Sequence, residues 1–442
     1  VTDLREVQRD LEAQGIDIVR LVYPDLLGVP RSKDVLVSEL ARVGHSGPSF
    51  CQGVFLTTHR GGVIDGPGGP SEGLPDLIAA LDVDTIRPLP WDPGIAYAMA
   101  DVRDTVGGEE SGISPRNVLK RVVAEYEAIG LTPIIGPELE FYLARRSADG
   151  SWKRALDQLG RVYMNGALVD PDGIFLSMVR QLAGLGLGIF AANHEFSPAQ
   201  FEINMWHGPA VDASDRAFLL KTAVKELAAR AGLHATFMGK PWNDESGSGF
   251  HLHASVVDKD GTNLMADDTG ELTPVAQQMM AGILAHAPAL VALTNPTVNS
   301  FRRLQPDSLA PFGINWGHDN RTTMIRIPPE RGSGTRLELR VGDGAAVPHI
   351  AVAALLAAGL DGIRKELPLQ PPAEGWSYAD EEVATVPTSL HGALDALEAD
   401  TDLLAILGGD MIRTFVILKR DEVARYERWV SDWDIEEYFH HL

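Results

Sequence analysis

Residues 134–143 (IIGPELEFYL) alternate with a period of two, which restricts them to a strand. Ile135, Leu139, Phe141 and Leu143 fall on one face, Glu138 and Glu140 on the other. Carboxylates at i and i+2 of a strand sit about 7 Å apart at their Cα atoms. The apolar face needs only a core. The acidic face has two solutions: it is solvated, or it is buried around a cation that offsets the repulsion. A lone Glu-x-Glu fits the first; its repetition along the chain points to the second.

Three further segments repeat the pattern. In 250–256, Phe250, Leu252, Ala254 and Val256 alternate with His251, His253 and Ser255. In 335–341, Leu337, Leu339 and Val341 alternate with Arg336, Glu338 and Arg340. In 195–202 the pair Ser197-Pro198 predicts a turn that brings Glu195 and Glu202 together. Any one such strand fits a solvated face, but four of them, polar in Glu, His and Arg, describe a site. Five glutamates with one or two histidines form a hard, oxygen-rich donor set, suited to magnesium or manganese and not to zinc or copper. Arg302, Arg303, Arg321, Arg326, Arg336 and Arg340 supply guanidinium forks for phosphate and carboxylate oxygens. Carboxylate-held metals beside arginines describe phosphoryl transfer, where the protein neutralises charge and positions groups.

A formal charge of −23 opposes a nucleic-acid partner or an anionic membrane surface. The one cysteine, Cys51, excludes an intrachain disulfide and a multi-cysteine zinc site, and is expected to be a small buried hydrophobe. The first residues, VTDLREVQRD, lack a signal-peptide core, and the longest apolar run, 350–360, is too short to span a bilayer. A soluble, cytoplasmic protein is expected.

Apolar spacing predicts helices over 3–14, 115–129, 172–184, 211–231, 272–286 and 348–366. Strands are predicted at 16–22, 132–143, 233–238, 322–328 and 335–341. Ser114 and Pro115 read as the N-cap and first residue of a helix. Gly- and Pro-rich stretches at 61–75 and 87–93 read as irregular chain. The polar stretch 104–115 predicts a boundary between a small N-terminal domain, 1–104, and a catalytic domain, 105–442, in an α+β fold.

The ordered blocks 136–141, 195–202, 247–253, 295–304, 320–328 and 336–340 resemble the motifs of bacterial type I glutamine synthetases. Residues 16–60 resemble the family's β-grasp domain more loosely. The resemblance implies an open antiparallel barrel, or funnel, flanked by helices, in a dodecamer of two rings with sites between subunits. It implies that Glu140, Glu195 and Glu202 hold one divalent metal, while Glu138, His251 and Glu338 hold a second beside ATP. Gly247, Arg303 and Arg340 would bind glutamate, and Arg321, Arg326 and Arg336 would contact phosphates. His253 and Ser255 would bind the nucleotide. The implied reaction makes γ-glutamyl phosphate from glutamate and ATP and lets an amine displace the phosphate.

Three positions depart from the family pattern. Leu309 stands where the flap carries a glutamate, Leu56 where an aspartate is expected, and Ser246 where an asparagine touches glutamate. The two acids bind ammonium as a cation; leucine leaves an apolar wall instead. The expectation is therefore a γ-glutamyl-amine ligase for a small monoamine with a carbon tail, such as ethanolamine or an alkyl- or arylamine. Asp307, in the same flap, is the candidate proton acceptor. A true glutamine synthetase, a polyamine ligase and a non-enzymatic regulatory paralogue remain the alternatives. Tyr378, in GWSYA, lacks the context of the adenylylated tyrosine of regulated family members, so that control is expected to be absent.

Overall fold

The computed structural model describes residues 3–44, 46–156, 162–440 and 442. Two sheets organise the chain. The N-terminal six-stranded sheet runs in the order Pro30–Leu36, Ile18–Pro24, Ile95–Arg103, Asp76–Leu81, Ser49–Cys51, with Arg87–Pro88 paired to Ile95–Arg103. Its central pair, Ile18–Pro24 and Ile95–Arg103, is parallel. The strands Asp76–Leu81 and Ile95–Arg103 have no counterpart in the sequence reading. Both are buried along nearly their whole length, so the alternation that marks a half-exposed strand is missing. Cys51, expected to be buried, ends its strand half-exposed.

The second sheet has ten strands and belongs to residues 132–339. Its spine is Thr132–Arg146, paired antiparallel with Phe250–Val257 on one side and Gln200–Met205 on the other. Beyond Phe250–Val257 lie Leu337–Leu339, Ile325–Ile327 and Trp316–His318, the last two parallel; beyond Gln200–Met205 lies Ile189–His194. Leu139 and Phe141 are fully buried on the outer face, where Phe141 meets Phe175, Phe201 and Phe237. Each such side chain contributes about 1.5–3 kcal/mol by leaving water. The long helix Ala210–Arg230 packs on this face and closes it.

The helix predicted at 115–129 spans Pro115–Glu127, but the Ser114 hydroxyl makes no capping bond and is buried without a partner. The helix predicted over 272–286 ends at Ala285; a second, Ala287–Thr294, leaves it at 77°. Pro288 in the first turn of that second helix accounts for the break, because it cannot donate to the preceding turn. Arg116 ties the two sheets' layers together. Its guanidinium meets Asp82 at 2.7 Å and Asp215 at 2.8 Å, and also Asp101 of the N-terminal sheet. Among the described residues no single helix is long and apolar enough to cross a membrane.

Candidate active site

The polar face of the large sheet carries the predicted acids in register. Glu140 pairs with Glu202, Glu138 with His251, His253 with Glu338, and Glu338 with Arg326. Strand pairing thus converts residues scattered over 200 positions into one charged surface. The turn predicted at Ser197-Pro198 is present: Glu195 N donates to Gln200 O at 2.8 Å and Gln200 N to Ser197 O at 3.0 Å.

Glu338 is 1% exposed and accepts from Arg326 Nη1 at 2.8 Å and from Arg340 Nη1. Burial opposes its charge, but Arg340 and the two histidines outweigh it and hold the carboxyl down at about 2. Glu138 lies 3.1 Å from His253 Nε2 and 3.6 Å from His251 Nδ1. Those histidines hold it well below the usual carboxylate range despite burial. Glu195 and Glu202 behave oppositely. Burial, then the charge of Glu140, pushes Glu195 up to about 7; burial, then Glu138, Glu140 and Glu195, pushes Glu202 up to about 9.

Acids crowded until they resist ionising are the arrangement a divalent cation relieves. His251 Nε2 is buried without a hydrogen-bond partner, so it too is free to ligate. Among the described residues two groups converge within 4.8 Å: Glu138, Glu202 and His251, and Glu138, His253 and Glu338. The donor set fits magnesium or manganese. The grouping differs from the expected one: Glu138 is common to both sets, and His253 joins the second set in place of His251. Arg336 Nε also donates to His253 Nδ1 at 3.1 Å, so His253 links the acids to the expected nucleotide side.

The residues expected to bind glutamate are built around two glycines. A Cβ on Gly247 would come within 2.6 Å of Arg303 Cγ and of Gly239 O. One on Gly249 would come within 2.8 Å of His251 Nε2 and 3.1 Å of Glu140 Oε1. Arg303 is buried and donates to Val341 O at 3.0 Å; Arg340 Nε donates to Arg321 O at 3.2 Å. Ser246 N is tied to Ser197 Oγ at 2.9 Å. Arg326 also donates to Asp319 Oδ1, at 2.6 Å from Nη2. A cavity of about 280 Å³ beside the acids is lined by Glu138, His253, Ser255 and Arg336, with the tilted rings of Phe190 and Trp206, 4.5 Å apart at their centroids, on its wall.

In the flap, Leu309 is 40% exposed and Asp307 accepts from Trp376 Nε1 at 3.0 Å. Leu56 is fully buried in the N-terminal unit, next to Gly66.

Sequence reasoning missed Gln200. It is 1% exposed, and its amide donates to Glu140 Oε2 at 3.2 Å and to Gly247 O at 2.9 Å, orienting Glu140 and the glycine loop together. Asn193 and Asn204 do the same for Glu195 and Glu202, at 2.8 and 3.0 Å. Gln200, Glu202 and Asn204 share one strand face, so the same alternation carried the signal.

Comparison with known proteins agrees with this geometry. The model of the glutamine synthetase catalytic domain matches residues 112–438. The glutamine synthetase of Halobacterium salinarum is 36% identical, over 98% of this chain and 96% of its own. That of Methanococcus maripaludis is 34% identical, over 97% of each. A solved structure of apo GmaS without ligand superposes with a TM-score of 0.87 at 32% identity, covering 98% of this chain and 99% of that one. A GmaS complex with ADP gives the same score and identity, over 99% and 100%.

Proposed function

Because the chain belongs to the glutamine synthetase family of ATP-dependent carbon–nitrogen ligases, we propose that it joins the γ-carboxylate of glutamate to a primary amine larger than ammonia. The carrying observation is Leu309, half-exposed in the flap next to the loop that bears Arg303. An apolar side chain there offers an ammonium ion nothing and a hydrocarbon tail a surface. Likeness to the GmaS structures, one of them a complex with ADP, supports the same reading.

In this reading Glu138, Glu140, Glu195, Glu202, His251 and Glu338, with His253 at the edge of the set, would hold two divalent ions, whose charge would screen the phosphates of ATP. Arg303 and Arg340 fix the glutamate. Arg321, Arg326 and Arg336 neutralise charge as the γ-phosphoryl group leaves ADP for a γ-carboxylate oxygen. The amine, deprotonated by Asp307, attacks the γ-carbon; the C–N bond forms, the C–O bond to phosphate breaks, and phosphate departs. Activation is needed because a carboxylate is a poor electrophile. The reading includes a homo-oligomer, a dodecamer with shared sites. Trp429, Trp433 and Phe439, all exposed near the C-terminus, support an apolar contact between subunits.

A second reading, a polyamine ligase, has one observation in its favour: Glu374, Asp380, Glu381 and Glu382 are all exposed around the 376–378 segment that meets the flap. The test is an amine panel with glutamate, ATP and magnesium, following phosphate release and product mass. Alkyl- or arylamines are expected to give the highest kcat/KM. Ammonium as the best substrate by a wide margin refutes the proposal; diamines as the best substrates favour the second reading.

A further inference from the structure

Two segments far apart in sequence close on one another beside the glutamate-side arginines. Trp376 Nε1 donates to Asp307 Oδ1 at 3.0 Å, and the Tyr378 ring lies 5.6 Å from that of Phe312 and 5.6 Å from that of Trp376. The flap is therefore held against 376–378 at both of its ends, residues 307 and 312, and Leu309 lies between them in the chain, 40% exposed.

Both sides are anchored. Asn320 Nδ2 donates to Gly375 O at 2.8 Å and Ser377 N to Thr322 Oγ1 at 3.0 Å, which fixes the aromatic segment to the turn bearing Arg321. Ser308 Oγ donates to Arg303 O at 2.9 Å, which fixes the flap to the glutamate side. Within this frame Leu309 and Asp307 adopt left-handed φ values of 55° and 60°. A β-carbon-bearing residue incurs strain there, and such strain persists only where the surroundings enforce it.

The enforced arrangement leaves ligand-binding surface unused. Trp376 is 53% exposed although its indole nitrogen is engaged. The Tyr378 hydroxyl is buried with no hydrogen-bond partner, a costly state for a polar atom. Burial pushes it up to about 12, against the pull of Arg303 and Arg340. Ring faces attract ammonium ions, and rings with a leucine also take a hydrocarbon chain.

We propose that Trp376, Tyr378, Phe312 and Leu309 form the subsite for the amine's tail, with Asp307, oriented by Trp376, receiving the ammonium head. The class of substrate is a primary monoamine whose nitrogen is followed by an uncharged alkyl or aryl group. The inference rests on the amine-ligase reading and deepens it by assigning the residues that choose the amine.

The experiment measures kcat/KM for n-butylamine, benzylamine, putrescine and ammonium, with KM for glutamate and ATP, in wild type, Trp376→Leu, Trp376→Phe and Leu309→Ala. Trp376→Leu is expected to lower the butylamine-to-ammonium and benzylamine-to-ammonium ratios at least tenfold, with KM for glutamate moving less than twofold. Trp376→Phe should restore most of the benzylamine ratio. Should Trp376→Leu fail to fold, Leu309→Ala on its exposed turn is expected to lower the butylamine ratio three- to fivefold. If wild type prefers tailed amines and neither variant moves the ratios, this subsite is wrong while the ligase reading stands. If wild type prefers ammonium, the reading of an amine larger than ammonia falls and the subsite with it. A putrescine preference lost in Trp376→Leu would overturn the monoamine assignment.

Discussion

Leu309→Glu puts the choice of nucleophile to a test at one residue. Leu309 sits at φ 55°, where leucine and glutamate are equally strained, so the substitution changes chemistry and leaves conformation alone. An ammonium ion gains a charge-assisted hydrogen bond. For a position 40% exposed, screening argues for the low end of the range, about 1.5 kcal/mol. A tailed amine loses apolar contact equivalent to one or two methylenes, about 1 kcal/mol. Together these give about 2.5 kcal/mol, a shift of about 70-fold in the ratio of kcat/KM for ammonium to that for butylamine. The assay is coupled phosphate release with each amine as the varied substrate and glutamate saturating. A ratio that moves less than about threefold, in protein whose KM for glutamate is unchanged, refutes the argument. The flap residue would then not meet the nucleophile.

Two other outcomes are expected. Exhaustive chelation should abolish turnover, and magnesium or manganese should restore it; full turnover in chelated protein would show that the acidic face is not a metal site. His286 bridges Asp400 at 2.6 Å and Asp361 at 3.0 Å, and although burial opposes its charge these two carboxylates raise its pKa. A raised folded-state value stabilises fully below the unfolded value of about 6.5 and is lost as pH rises through the folded one. Wild-type Tm should therefore fall on going from pH 6 into the alkaline range, while His286→Asn starts lower, by about 2 kcal/mol in stability at pH 6, and stays flatter. Parallel Tm-versus-pH curves would contradict the bridge.

How far the sequence revealed the molecule follows from what each element is made of. The acids Glu138, Glu140, Glu202 and Glu338 were legible because strands place every second residue on one face and the partners across the ladder are set by the same period. Gln200 and Asn204 obey that period equally, yet uncharged amides leave no charge pattern to notice. The strands Asp76–Leu81 and Ile95–Arg103 were lost for the opposite reason: buried over most of their length, they carry no sustained polar alternation.

The proposed amine side is harder to read than the acidic face for a physical reason. The clustered acids and histidines stand on strands, whose geometry is local and periodic. The flap and the 375–378 segment are irregular, and their meeting depends on particular bonds: Trp376 to Asp307, Asn320 to Gly375, Ser308 to Arg303. None of those contacts follows from spacing, because each joins a loop to something distant or turns on a left-handed residue. Reaction type can therefore be inherited through a rigid sheet while the accepted amine changes through loop residues that leave the sheet untouched. Substitutions at 309–312 and 376–378 should thus redirect the amine without altering metal dependence, whereas a change at Gly249, where a Cβ would meet His251 Nε2 at 2.8 Å, should disable every amine alike.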